Sequence, residues 1–252
     1  MVRTRPRPDA PPALVRNARA WTARWVTLAA AGAGGDWATA RAKKELKGPL
    51  LALTWGKCAF CEGGLGAQAY AQIEHYVSRK VEPQRAFEWQ NLLPVCQVCN
   101  TSKGHADHQG RLLKPDAEDP EPFFWITYEG VMDPHPTLNE ADKCRALETI
   151  RICGLNRPEL VANRQAVGDF VMRWIARSAL VASLDQHLQA EWAALSDPCF
   201  NYKIVVRHVL TQKGLHVRAE KDREIFQRGR CSRIFPVHPP DRSGSPSGAS
   251  VE

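Results

Sequence analysis

The sequence contains no run approaching the roughly 18 consecutive apolar residues that a membrane-spanning helix requires. The best candidate, WVTLAAAGAGG at residues 25–35, is too short and too rich in glycine. No segment has the features of a secretory signal, so we expect a cytoplasmic protein that has no membrane partner. In a reducing cytoplasm, cysteine pairs are more often metal ligands or redox groups than disulfides.

Acidic residues are the minority among the charged residues. The chain has 27 Asp and Glu against 34 Lys and Arg, which gives a net charge of +7. This surplus is compatible with a polyanionic partner, although many basic proteins bind no nucleic acid. With 252 residues, 44% of them hydrophobic and 24% charged, the chain has the composition of a globular protein with one sizeable domain or two modest ones.

Four of the eight cysteines form two CxxC pairs. Cys58 and Cys61 lie in CAFC, and Cys96 and Cys99 lie in CQVC. Each pair can present two thiolates to one tetrahedral ion, so together they predict a closed, structural Zn²⁺ site with no open position for a substrate. A single CxxC pair would leave redox chemistry open, whereas the duplicated pair favours zinc.

A group of polar residues accompanies these pairs: Glu74 and His75, then Asn91, then Asn100 directly after the last cysteine. The stretch QIEHYV predicts a strand, NLLPV its antiparallel partner, and CNTSKG the first turns of a helix. This ββα unit would bring the polar side chains to one end. A single histidine is most simply a structural residue, but a neutral imidazole can take a proton from water. A carboxylate and an amide oxygen can hold a cation such as Mg²⁺, and hydrolysis of a phosphodiester needs these groups.

The pattern CAFCEG…IEHY…NLLPVCQVCNTSKG at residues 58–104 resembles the zinc-braced branch of the HNH endonucleases, which have the ββα-metal fold. More widely, about residues 45–215 resemble the HNH nuclease subunit of Septu-type anti-phage defence systems. The weaker signals are DPEPFFWITYEGVMDP, ETIRICGLNRPELVANR and DPCFNYKIVVRHVL. The resemblance implies an ATPase of the ABC/SMC type as a partner.

The resemblance also implies roles for individual residues. His75 matches the general base, and Asn91 matches the residue that orients this histidine or supports its loop. Glu74 and Asn100 match the ligands of a catalytic Mg²⁺ or Mn²⁺, with glutamate where many relatives have aspartate. Lys103 falls where relatives often have a basic residue near the phosphate.

Further basic residues lie close by. Arg79 and Lys80 follow His75 by four and five residues, and either they contact backbone phosphates or they are solvated loop charges. We expect His105 and His108 in a solvated turn after the helix, the alternative being a supplementary metal or phosphate contact.

Local signals predict several boundaries. Residues 1–12 are rich in proline and charge, so we expect them to be loosely ordered. The strand in FFWITYEG should turn at Gly130. Thr137 and Glu140 form a possible capping box, and Asp197–Pro198 should start a late helix.

We therefore predict an α+β fold, a mainly helical chain that carries a small zinc-stabilised ββα-metal (HNH) nuclease module. Its four parts would be a basic arm with helices at 1–57, the nuclease module at 58–110, a connector with a helical region for partner docking or regulation at 111–236, and a disordered tail at 237–252.

The predicted function is metal-dependent hydrolysis of nucleic-acid phosphodiester bonds, with DNA favoured over RNA, in an ATPase-coupled Septu-like defence complex. Two alternatives stay open. One is a zinc module that binds nucleic acid or protein without catalysis, and the other is a stand-alone, restriction-type HNH nuclease.

Overall fold

The computed structural model describes residues 1, 3–32, 37–66, 70–106, 108, 110–179, 191–195, 197 and 200–213, so the predicted tail at 237–252 lies outside the described residues. The predicted α+β class is confirmed. In chain order, the helices and strands are α1 (Pro12–Ala30), α2 (Ala40–Leu53), β1 (Ala71–His75), β2 (Leu92–Cys96), α3 (Gln97–Lys103), β3 (Phe124–Ile126), β4 (Met132–Pro134), α4 (Glu140–Ile152), α5 (Pro158–Ala179) and α6 (Lys203–Gln212). Residues 191–195 are also helical. Among the described residues, no helix has the length and apolar character needed to cross a membrane.

The strands β1 and β2 pair in antiparallel fashion, from Ala71 opposite Cys96 to His75 opposite Leu92. The helix α3 follows β2 without a linker, and Cys96 caps it by accepting from the backbone amide of Cys99. The predicted ββα unit is therefore present. Its strand pair brings the end of β1 next to the residues that precede β2, which positions the candidate site.

Two hydrophobic cores meet at this unit. One combines α1, α2 and the segment before β2, with Trp25, Leu50 and Leu92 among its buried members. The larger core joins the cysteine pairs, β2, β3, α5 and α6, with Phe60 and Val95 among its members. Because side chains of β2 enter both cores, buried packing runs across the predicted boundaries at residues 57 and 110. The division into four parts stays a prediction.

The N-terminal arm is tied to the rest of the fold and is not loosely ordered. The side chain of Arg7 lies 2.7 Å from a carboxylate oxygen of Asp116, and both side chains are almost completely buried. Arg7 also donates to the carbonyl oxygens of Trp89 and Leu92, at 2.8 and 2.9 Å. A guanidinium has five donors in a fixed plane, so this one side chain links the arm to both the connector and the start of β2.

The turn between β3 and β4 lies at Gly130, as predicted. Gly130 has φ +86°, and a Cβ atom there would lie 2.3 Å from the carbonyl oxygen of Val161 and 2.8 Å from the amide nitrogen of Gln165. No larger residue fits this turn, because the backbone of α5 packs directly against it.

Two predicted helix starts are wrong. Asn139 caps α4 by accepting from the amide of Asp142 at 2.9 Å, whereas the hydroxyl of Thr137 lies 2.8 Å from Nδ1 of His135 and takes no part in a capping box. The helix α6 begins at Lys203, after a left-handed residue at position 202. Its start was predicted at Asp197–Pro198, but Asp197 and residues 200–202 are not helical, and Pro198 lies outside the described residues.

Candidate functional site

The four cysteines of the CxxC pairs converge at the base of the ββα unit. Their Sγ atoms all lie within 4.8 Å of one another, and all four residues are buried. The Sγ atoms of Cys61 and Cys96 are 3.9 Å apart. A tetrahedral Zn²⁺ with Zn–S bonds of about 2.3 Å keeps its sulfur atoms about 3.8 Å apart. The donor set is therefore positioned to bind one metal ion and is consistent with the predicted structural zinc.

An arginine from the C-terminal half completes this centre. The Nη1 atom of Arg157, directly before α5, lies 3.6 Å from Sγ of Cys99. Burial alone would lower the pKa of Arg157, but the negative charge and hydrogen bond of the Cys99 sulfur raise it overall. A four-thiolate zinc site would carry net negative charge, part of which this guanidinium would offset, and its contact with Cys99 joins α5 to the cysteine cluster.

His75 lies at the end of β1 and is only 2% exposed. Its Nε2 atom is 2.9 Å from the carbonyl oxygen of Ala86, and its Nδ1 atom is 3.3 Å from Nη1 of Arg79. Arginine can only donate, so Nδ1 accepts and Nε2 carries the proton. Burial and the charge of Arg79 lower the pKa of His75 to about 3. The imidazole is therefore neutral at pH 7, with its lone pair on Nδ1.

Asn91 is completely buried beside this histidine. Its Oδ1 accepts from the amide of Val77 at 2.7 Å, and its Nδ2 donates to the carbonyls of Val77 and Arg85 at 2.9 and 3.1 Å. Arg85 directly precedes Ala86, whose carbonyl holds the imidazole. Asn91 thus connects the loop after β1 to the segment that fixes the ring of His75.

Glu74 and Lys103 form a buried ion pair. Oε1 of Glu74 lies 2.6 Å from Nζ of Lys103, whose side chain has no solvent exposure. The same ammonium donates to the carbonyl oxygen of His75 at 3.0 Å. Burial raises the pKa of Glu74, and the charge of Lys103 offsets part of that rise. The sequence predicted Lys103 near a substrate phosphate, but the structure places it beneath the carboxylate, where it positions Glu74.

A cavity of about 290 Å³ lies against these residues, and its lining includes Glu74, His75, Arg79, Asn100 and His105. Asn100 projects from α3 and donates through Nδ2 to the side-chain oxygen of Gln72. Its Oδ1 is consequently the amide atom suited to ligate a cation. The cavity thus brings together a carboxylate, an amide, a neutral imidazole and a guanidinium.

The other predicted basic residues occupy different environments. Lys80 is exposed, while Arg79 lines the cavity and packs against the ring of Trp25, 5.5 Å from its centroid. His105 is exposed at the cavity, as expected for a solvated turn. The same expectation is wrong for His108, which is only 3% exposed. Its Nε2 forms a hydrogen bond of 2.7 Å with the carbonyl oxygen of Tyr76.

Sequence reasoning missed two parts of the surroundings of His75. The ring of Trp37 contacts the imidazole edge-to-face, with centroids 4.6 Å apart, and the carbonyl of Ala86 fixes the tautomer. Neither residue belongs to the motif. A tryptophan 38 positions upstream and a backbone carbonyl carry no local signal, so only the tertiary fold reveals them.

No family model matches the chain. Among curated proteins, the Septu protein PtuB of Bacillus thuringiensis is 32% identical over 80 residues, which cover 31% of each chain. The Septu protein PtuB of Bacillus mycoides (strain KBAB4) is 26% identical over 155 residues, covering 49% of this chain and 51% of that protein. The chain therefore matches about half, or less, of the length of these curated relatives. Their names, with the four-cysteine cluster, confirm the predicted resemblance to a subunit of Septu systems.

Proposed function

We propose that this chain is a metal-dependent HNH endonuclease that hydrolyses phosphodiester bonds of nucleic acid. One observation carries the proposal: a neutral histidine whose ring is fixed by the carbonyl of Ala86 lies at a cavity shared with Glu74 and Asn100. A purely structural histidine would not need a carboxylate and an amide beside it in the same cavity. The buried cysteine cluster and Asn91 support the strand and the helix that carry these groups.

In the proposed reaction, Nδ1 of His75 removes a proton from the attacking water. A pKa of about 3 makes the free imidazole a weak base. An incoming phosphate would raise this pKa, because it brings negative charge and attracts the guanidinium of Arg79 away from the ring. The substrate itself would therefore bring the base closer to its working range.

The second part of the site is the pair of oxygen ligands. A Mg²⁺ or Mn²⁺ ion bound by the carboxylate of Glu74 and the amide oxygen of Asn100 would neutralise charge on the phosphate and on the departing 3′-oxygen. Lys103 holds Oε1 of Glu74, which orients the carboxylate toward the cavity. The products would be a 5′-phosphate and a 3′-hydroxyl.

The proposed substrate is DNA in preference to RNA, and Arg79 and Lys80 would bind mainly its backbone phosphates. The similarity to Septu PtuB proteins supports a role as the nuclease of an anti-phage defence complex with an ATPase of the ABC/SMC type. A cytoplasmic location is part of the same proposal. Co-purification with the product of an adjacent ATPase gene tests this assembly, and a stand-alone nuclease would purify without such a partner.

The activity is tested with the full chain, after its zinc content has been measured. Supercoiled plasmid and structured RNA are incubated with Mg²⁺ or Mn²⁺, and parallel samples receive no added cation. No chelator is used, because it would compete for zinc.

We expect cation-dependent cleavage by the wild type, and its loss in His75→Ala with fold and zinc retained. His135→Ala, directly after β4, is the matched control and should cleave normally. Equal cleavage by His75→Ala would contradict the assignment, and absence of cleavage by every protein would favour a non-catalytic adaptor.

A further inference from the structure

A second cavity, of about 280 Å³, lies beside the candidate site, and four of its eight lining residues are aromatic. Trp25, Trp37 and Phe87 form its buried part. Trp21 is half-buried and Arg24 is exposed, so the cavity opens on the side of α1.

The aromatic rings that line this cavity are tilted against one another and are not stacked. The ring of Phe87 has neighbours at 5.3 Å in Trp21 and at 5.0 Å in Trp37, measured between centroids, and both pairs are tilted by 50°. Stacked rings cover each other's faces, whereas tilted rings leave part of each face uncovered. Proteins that hold unpaired bases use such aromatic faces, often with an arginine nearby. The exposed guanidinium of Arg24 meets this second requirement.

Two residues that line the aromatic cavity contact residues of the candidate site. Trp37 contacts the imidazole of His75 at 4.6 Å between centroids. Trp25 supports the side chain of Arg79 and donates from Nε1 to its carbonyl oxygen at 3.4 Å. A planar ligand in the aromatic cavity would therefore lie next to the groups proposed to act on a phosphodiester.

The charge of α1 also complements a nucleic-acid backbone. This helix contains Arg16, Arg19 and Arg24 and has no acidic residue, and all three arginines are exposed. An apolar ligand or an apolar peptide would gain nothing from these exposed cations, whereas a strand of phosphates would gain from them. The two features together favour a nucleotide strand over other occupants.

We propose that the aromatic cavity binds an unpaired nucleobase of the substrate strand, beside the scissile phosphate, while the arginines of α1 follow the backbone. This inference rests on the proposed nuclease function. It adds a substrate class, because a base in this cavity must be single-stranded, extruded or located at a mismatch.

The test is equilibrium binding by the full-length wild type, in buffer with no added divalent cation so that cleavage does not interfere. Fluorescently labelled single-stranded DNA, single-stranded RNA and the matching DNA duplex of one sequence serve as probes, read by anisotropy. We expect an unpaired strand to bind more tightly than the duplex. Trp21→Leu should weaken binding of the unpaired strand by roughly 5- to 150-fold, the range for loss of one base stack.

Two variants control for indirect effects. Trp21→Phe keeps an aromatic face and should retain most of the affinity. Trp125→Leu makes the same change at a half-buried tryptophan on β3, away from the cavity, and should bind as the wild type does. Thermal unfolding of each variant verifies that its fold is retained.

The inference is overturned if the duplex binds as tightly as both single strands, if Trp21→Leu binds like Trp125→Leu, or if no single strand binds. The proposed function is tested separately by the cleavage assays on plasmid and RNA. It fails if His75→Ala cleaves these substrates as well as the wild type does. A nuclease that cleaves normally but treats paired and unpaired strands alike would retain its function and lose this inference.

Discussion

Arg79 donates a hydrogen bond to Nδ1 of His75 across 3.3 Å, so a guanidinium covers the nitrogen that would act as the base. The cation also disfavours the protonated imidazole, which adds to the effect of burial on the pKa. A phosphate that attracts Arg79 would uncover Nδ1 and raise its pKa in a single movement. In the proposed mechanism, this contact would therefore couple substrate binding to activation of the base.

The first prediction concerns stability and pH. The pKa of His75 is about 3 in the folded state and about 6.5 in the unfolded state. Between these values the unfolded state binds more protons, so the free energy of unfolding is highest above about pH 6.5 and falls as the pH decreases. The slope from this residue is at most about 1.4 kcal/mol per pH unit. Urea unfolding between pH 5 and 7.5 measures it.

Two variants identify the source of that slope. His75→Gln removes the titrating group and should flatten the dependence. Arg79→Gln removes a charge that lowers the pKa of His75 but leaves its burial, the larger cause, so the slope above pH 5 should stay close to that of the wild type. Other groups with depressed pKa values, such as His208, remain in every protein and cancel in the comparison. Identical slopes in all three proteins would show that His75 titrates normally.

A second prediction concerns contacts with phosphate. Each phosphate neutralised on duplex DNA contributes about 0.9 to the slope of log K against log salt. Arg79→Gln and Lys80→Gln should each lower this slope by about one. Arg151→Gln, an exposed arginine on α4, is the matched control and should leave it unchanged. Binding isotherms at several salt concentrations without added divalent cation provide the slopes, and an unchanged slope removes that residue from the interface.

The third prediction concerns the buried pair Glu74 and Lys103. Lys103→Met leaves a buried carboxylate without its partner and should destabilise the fold by about 3–5 kcal/mol. Adding Glu74→Gln should recover part of this loss, because no uncompensated charge remains. Lys143→Met breaks a more exposed pair with Glu140 and should cost at most about 1 kcal/mol. Urea unfolding at pH 7 of the wild type, both single variants and the double variant measures the coupling between Glu74 and Lys103. If the losses of the two single variants simply add in the double variant, the two residues are not coupled.

The sequence carried much of the site because its signals are local. The CxxC spacing predicts which cysteines come together. The strand patterns predict β1, which ends at His75, and β2, which begins directly after Asn91. The position of Lys103 was not predictable in the same way. Its place in the last turn of α3 is local, but the side it faces depends on how α3 crosses β1.

Other features depended on competition between similar signals. Thr137 and Asn139 are both good caps, and the pairing of Thr137 with His135 leaves the cap to Asn139. His105 and His108 lie in the same polar segment, yet only His108 faces Tyr76 and is buried. These outcomes are decided by tertiary contacts, which residue type and spacing do not encode.

The last prediction concerns the metal centre. Cys99→Ser removes one of four thiolates and should lose most bound zinc, with a clear fall in melting temperature, because a small module depends on its metal for folding. Cys144→Ser changes an exposed cysteine outside the cluster and should keep about one zinc per chain and the wild-type melting temperature. Zinc is counted with a colorimetric chelator after denaturation. Equal zinc content in the two variants would mean that the four sulfur atoms do not share one ion. Cleavage should disappear with the zinc in Cys99→Ser although Glu74, His75 and Asn100 are intact, because the cysteines hold β2 and α3 in the positions on which the cavity depends.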